Sequence, residues 1–151
     1  MINPIVIRNK VKQKMLKYKL THPTILRALG AAGHGSKVVI ADSNYPFSTG
    51  ANPEAERVYL NLTPGIVLVT DVLKVLAETI PIEAAHAIAP DDGAEPPIFA
   101  EYRDILPDLE LQTLKRYPFY EAASTVDTAL VIATGEQRTW ACILLTIGVI
   151  Q

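Results

Sequence analysis

The chain is nearly without cysteine. Cys142 is the only one, so no internal disulfide can form and a reducing, cytoplasmic setting is expected. Zinc-ligand spacing is also missing, because His22, His34 and His86 are scattered along the sequence, and no metal is expected. No uninterrupted apolar run reaches the length of a membrane-spanning helix. A short apolar piece precedes the first bases, the reverse of a secretory signal, so neither export nor a membrane partner is expected. There is no Gly-rich phosphate loop, no dinucleotide fingerprint and no Gly-x-Ser-x-Gly nucleophile turn. Acidic residues are absent from 1–41, which hold eight of the fourteen Lys and Arg; all sixteen Asp and Glu follow.

The 151 residues, 49% of them apolar and 20% charged, suffice for one domain with a sizeable core. No internal repeat or low-complexity linker divides them. The reading is a basic N-terminal extension over 1–14 and a single domain over 15–151. Residues 1–19 carry six cations with Tyr18 as their only aromatic. Such a segment supports salt-sensitive, non-specific attraction to phosphates rather than base reading, so no nucleic-acid partner is expected.

A helix is expected over 23–32, capped by Thr21 or His22, with Pro23 in its first turn and Gly33 at its stop. Residues 37–41 are short, apolar and mostly β-branched, the pattern of a buried strand. A polar loop follows over 42–56, long enough to be functional. Further strands are expected over 57–60, 84–89, 111–114, 129–133 and 142–147, and helices over 67–79, 98–106 and 119–124. Interleaved strands and helices argue an α/β domain with a largely buried sheet flanked by helices. The last two strands are close enough in sequence to pair antiparallel, which makes the sheet mixed.

Three clusters carry chemistry. Gly33-His34-Gly35 leaves an imidazole unshielded by neighbouring side chains, although a helix stop with an incidental histidine reads the same way. Asp42 lies beyond the strand that follows, about 17 Å from His34 along a five-residue strand. The two groups meet only if loops fold back or if a site is assembled across a subunit interface. Arg116-Tyr117-Pro118-Phe119-Tyr120 can bond hydroxyls and stack on a sugar or base face, or simply pack a short helix on the surface. Thr134-Gly135-Glu136 leads into Trp140-Ala141-Cys142, where tryptophan suits core, interface or sugar stacking. Cys142, inside an apolar run, reads as a buried inert thiol.

Over 15–149 the order of these motifs resembles the ribose pyranase / fucose mutarotase family. The resemblance rests on Met15-Leu16-Lys17, the Pro23-led helix running into Gly33-His34-Gly35, and Val39-Ile40-Ala41-Asp42-Ser43-Asn44-Tyr45-Pro46. It continues through Val69-Thr70-Asp71-Val72-Leu73, Tyr102-Arg103, Arg116 to Glu121, Thr134-Gly135-Glu136 and Ile143-Leu144-Leu145. Arg116 ahead of Phe119-Tyr120 is similar to the fucose branch.

The resemblance implies a cofactor-independent isomerase that interconverts anomeric or ring forms of a free, L-fucose-like monosaccharide. It implies His34 as the catalytic proton donor, Asp42 and Arg116 as sugar contacts, and a ring-shaped homo-oligomer, such as a decamer, with sites in clefts between subunits. Tyr120 joins Arg116 in fixing hydroxyls. Where the family has Tyr-Gly-Asn this chain has Trp140-Ala141-Cys142; those positions are carried over as sugar contacts, through the backbone and by stacking of Trp140. The chemistry needs one proton removed from the anomeric hydroxyl and one given to the ring oxygen, which an imidazole performs without cofactor or metal. The changed Trp140-Ala141-Cys142 segment leaves a second reading, a non-catalytic monosaccharide-binding protein.

Overall fold

A computed structural model describes residues 16–151; the extension expected over 1–14 lies outside the described residues. The described chain runs α1 (Pro23–Ala31), β1 (Lys37–Ala41), β2 (Glu56–Tyr59), α2 (Val69–Ala77), β3 (Ile82–Ile88), α3 (Ile98–Ile105), β4 (Leu111–Leu114), α4 (Arg116–Ala123), β5 (Thr128–Ala133) and β6 (Ile143–Ile147). The six strands form one sheet in the order β2-β5-β1-β6-β3-β4. β1 pairs in parallel with β5, β5 with β2, and β3 with β4, whereas β6 runs antiparallel to both β1 and β3. The sheet is mixed, as expected. None of the described helices is long and apolar enough to cross a membrane.

The period of two along each strand divides the core into two layers. Val38 and Ile40 of β1, Leu130 and Ile132 of β5, and Ile143 and Leu145 of β6 face α1, α2 and α3. Val39, Ala41, Val131 and Leu144 face the other way, against Phe119 and Ala123 of α4 and the Tyr45–Ala55 loop. Three helices therefore cover one face, and one helix with a long loop covers the other. That second, thinner cover leaves room for a site.

Three expectations need correction. β5 and β6 do not pair, because β1 lies between them. The connection after β5 crosses the end of β1 and is stapled there: the Thr134 N–H and hydroxyl both donate to the Ala41 carbonyl, at 3.1 and 2.7 Å. The Ser43 N–H donates to the Glu136 carbonyl at 2.9 Å. Crossing β1 delivers the chain to its far side. α2 starts at Val69 rather than 67, since the Val67 carbonyl accepts the Gly135 N–H at 2.8 Å and Asp71 Oδ2 accepts the Leu68 N–H at 3.0 Å. α4 starts at Arg116 rather than 119. Pro118 falls in its first turn, where a missing N–H leaves no helix bond unmade. Elsewhere boundaries shift by one or two residues, and His22 is the cap of α1, its Nδ1 accepting the Ile25 N–H.

Candidate functional site

Asp42 is the first residue beyond β1 and is almost wholly buried, at 4% exposure. Its two carboxylate oxygens diverge: Oδ1 accepts the Asn44 N–H at 3.0 Å and Oδ2 accepts the Ala141 N–H at 3.1 Å. The Asp42 N–H donates to Cys142 Sγ at 3.3 Å. Burial raises the Asp42 carboxyl above its ordinary value, and the bonds from Asn44, Ala141 and Cys142 only partly offset this. Cys142 is fully enclosed, and burial, with Asp42 beside it, pushes its thiol well above its ordinary value. The cysteine is free and buried, as its apolar run indicates, and a raised thiol in such surroundings is the less reactive kind.

Opposite Asp42, the first turn of α4 carries Arg116, whose guanidinium carbon lies 5.3 Å from the Trp140 ring centroid, a cation–π distance. One turn on, Tyr120 meets Tyr45 edge to face at 5.2 Å. Burial raises the Tyr120 hydroxyl, so it remains a neutral donor. Asp42, Asn44, Tyr45, Ile88, Arg116, Tyr120, Thr139, Trp140 and Cys142 together line a pocket of about 280 Å³. That lies just below the range of roughly 300–1,000 Å³ usual for drug-sized ligands, as suits a smaller molecule. Its polar groups sit around an aromatic wall, and it opens at the carboxyl ends of β1 and β3, the usual ligand-binding edge of an α/β sheet.

The segment 134–142 is braced from several sides. Gly135 sits so close to the 63–66 turn that a Cβ there would lie 2.4 Å from the Ile66 carbonyl oxygen. Glu136, at 2% exposure, takes a two-pronged contact from Arg138, at 2.9 and 3.0 Å, and Arg138 reaches on to Glu101 of α3. Burial raises the Glu136 carboxyl, but its bonds with Arg138 outweigh that and leave it lowered. The Tyr102 hydroxyl of α3 donates to the Ala141 carbonyl. Trp140 is held at φ 64°, the left-handed region, at a cost of about 1–2 kcal/mol that the surrounding bonds offset.

Five of the anticipated residues, Asp42, Arg116, Tyr120, Trp140 and Cys142, thus share one pocket, and Ala141 holds Asp42 through its backbone. His34 is not among them. It lies before β1, at the opposite edge of the sheet, where Nε2 is 3.0 Å from Glu83 Oε2. Sequence reading did not place Tyr45 or Thr139 at the pocket, nor find the Glu136–Arg138 brace. The polar loop after β1 was a signal for Tyr45; an i, i+2 acid–base pair carries no local signal. Among the described residues no group of three or more His, Cys, Asp or Glu is placed to hold a metal ion.

Residues 15–150 match the profile of the RbsD / FucU transport protein family. The chain is 30% identical over 143 residues to a fucose mutarotase of Mus musculus, covering 88% of this chain and 92% of that protein. It is 32% identical over 139 residues to a D-ribose pyranase of Paracidovorax citrulli, covering 89% and 98% respectively. Among solved structures, Bacillus subtilis RbsD complexed with D-ribose superposes with a TM-score of 0.79 at 26% identity, over 91% of this chain and all of that one. The Streptococcus pneumoniae fucose mutarotase in complex with L-fucose superposes at 0.74 with 25% identity, over 86% and 94%. A match across nine-tenths of the sequence and a shared mixed six-stranded fold lead to one assignment: the chain belongs to the RbsD / FucU transport protein family, alongside proteins named fucose mutarotase and D-ribose pyranase.

Proposed function

We propose that this chain, an isomerase by its family, interconverts anomeric or ring forms of a free monosaccharide, with an L-fucose-like sugar as first choice. The observation that carries the reading is the pocket itself, in which a buried carboxylate, a guanidinium and a phenol surround an indole. Asp42 and Arg116 accept and donate to sugar hydroxyls, Tyr120 adds a neutral donor, and Trp140 offers its face to the apolar side of the ring. The preference for fucose rests on Arg116. Overall identity does not divide the branches, at 30% to a fucose mutarotase and 32% to a ribose pyranase.

In this reading His34 supplies the proton transfer from a neighbouring copy. Within one chain it stands about a strand's length, ~17 Å, from Asp42, and its side chain is 59% exposed. A homo-oligomer with the amino edge of one sheet docked over the pocket of the next brings the halves together. The imidazole then takes the anomeric proton and returns one to the ring oxygen, and positioning by the pocket supplies most of the rate. The cytoplasm is the compartment of this reading.

The test is saturation-transfer NMR of anomer exchange across fucose, ribose, galactose and rhamnose. At least one sugar exchanges faster with the wild type, and the gain vanishes in His34→Ala. A mixture of His34→Ala and Asp42→Ala subunits, refolded together, recovers about a quarter of the activity, the random expectation for a site drawing on two chains. Unchanged rates across the panel would overturn the proposal. Calorimetric binding without exchange would replace it with the non-catalytic sugar-binding reading, which the Trp140-Ala141-Cys142 segment favours.

A further inference from the structure

Glu83 lies outside the pocket, yet four features of the backbone converge on its contact with His34. First, the register of β3 against β6 slips between Ile82 and Ala84: Ile82 opposes Ile147 and Ala84 opposes Thr146, so Glu83 is the extra residue of a bulge. A bulge re-aims the side chain it carries. Second, Gly148 lies across from it, where a Cβ would stand 3.1 Å from Glu83 Cβ and 3.6 Å from Oε2. Third, Gly35 adopts φ 83°, and its N–H donates to the Ile147 carbonyl at 2.8 Å. Fourth, Gly33 and Ser36 bond reciprocally around His34, N–H to Oγ at 3.2 Å and N–H to carbonyl at 3.0 Å.

The product of these devices is a carboxylate 3.0 Å from an imidazole nitrogen, with both side chains open to solvent. An exposed pair of this kind adds little to stability, so stability does not account for a bulge and two special glycines around it. Orientation does. An ionised carboxylate only accepts hydrogen bonds, so the Nε2 that faces it must carry the hydrogen. The other nitrogen, Nδ1, is then the free base in the neutral ring.

We propose that Glu83 is a positioning residue for His34: it holds the imidazole through Nε2–H, fixes its tautomer, and leaves Nδ1 as the atom that exchanges protons with the sugar. This rests on the reading of His34 as the acid/base group. The logic is that of a carboxylate behind a histidine, which sets the tautomer and ring direction without itself taking up the proton.

The experiment pairs a spectroscopic readout with a kinetic one on the full chain in its native assembly. Long-range proton–nitrogen NMR of histidine-labelled protein is expected to show neutral His34 as the Nε2–H tautomer. Glu83→Ala loses that preference and lowers kcat about ten-fold with KM within about two-fold, a fraction of the 10²–10⁴ that acid/base catalysis supplies. Glu83→Gln, whose amide oxygen still accepts but whose NH₂ also donates, falls between them in both readouts. An Nδ1–H tautomer in the wild type, or wild-type kcat in Glu83→Ala where His34→Ala has lost exchange, would overturn this inference alone. Full exchange in His34→Ala would instead overturn the acid/base reading beneath it, and this inference with it.

Discussion

The two edges of the sheet are built by opposite rules. At the carboxyl edge Asp42 is buried, with both carboxylate oxygens engaged by N–H groups and its own N–H on a thiol. Trp140 is held in the left-handed region, and Glu136 is locked by Arg138. At the amino edge His34 and Glu83 contact each other in the open, at 59% and 44% side-chain exposure. One edge is part of the core; the other is open to solvent. Holding a sugar requires fixed hydroxyl partners, and burial fixes them. In the proposed function, delivering a proton to a neighbouring copy requires reach, and exposure permits it. If that division of labour holds, substitutions at one edge change stability and affinity together, whereas those at the other change rate alone.

The largest effect expected is on rate. His34→Ala lowers anomer exchange by about 10²–10³-fold while leaving the unfolding midpoint and the calorimetric affinity for the sugar essentially at wild type. Asp42→Ala does the reverse in kind. It abolishes measurable sugar binding and destabilises the fold by about 1–3 kcal/mol in urea titrations, because the buried N–H of Ala141 is left without an acceptor and the part-buried N–H of Asn44 loses its own. Equal losses of affinity in the two variants would erase the distinction between the edges.

Next in size is the brace behind the pocket wall. Glu136→Gln removes the charge that holds Arg138, in a position reached by almost no solvent. Breaking a buried pair costs about 3–5 kcal/mol; with the Arg138 side chain 39% exposed, about 2 kcal/mol is expected. Sugar affinity is expected to fall as well, since Arg138 and Trp140 belong to the same segment. A stable variant with wild-type affinity would show that the pocket wall stands without its brace.

The same contrast explains what was legible in the sequence. β1 is read directly from Val38-Val39-Ile40-Ala41, because four apolar residues in a row bury on both faces and need nothing else. α1 is read from its proline and its cap. The β5–β6 pairing was misread because sequence proximity favours a hairpin, whereas Thr134 and Ser43 route the chain over β1 by contacts between distant segments. The start of α4 was misread because a proline in a first turn looks the same as a proline before a helix. At the site, Asp42, the Arg116–Tyr120 run and the 140–142 segment stand out as local clusters of polar and aromatic residues, but only the family resemblance gives them roles as sugar contacts; periodicity alone sees a polar loop and a short helix. Glu83 was invisible, since its aim depends on a one-residue slip of register against β6.

The smallest effect separates the two buried carboxylates of the carboxyl edge from each other. Asp42 is raised above its ordinary value of 3.8, chiefly by burial. The folded state therefore binds its proton more tightly than the unfolded state does. Its contribution is complete below the unfolded value and is lost as pH rises through the folded one. Glu136 is lowered from 4.5, because Arg138 outweighs burial. Its contribution is present above that value and is lost as pH falls through the folded one. Urea titrations from acid to neutral pH are expected to show this as slopes of opposite sign: relative to Asp42→Asn the wild type loses stability as pH rises, and relative to Glu136→Gln it loses stability as pH falls. Slopes of the same sign would mean that one of the two carboxylates is held by something other than the bonds described for it. The inversion follows from how far each acid's partners offset its burial, only in part by the N–H groups around Asp42 and more than fully by the guanidinium on Glu136, so one edge of the sheet keeps a carboxylate of each kind within a few residues of the same pocket wall.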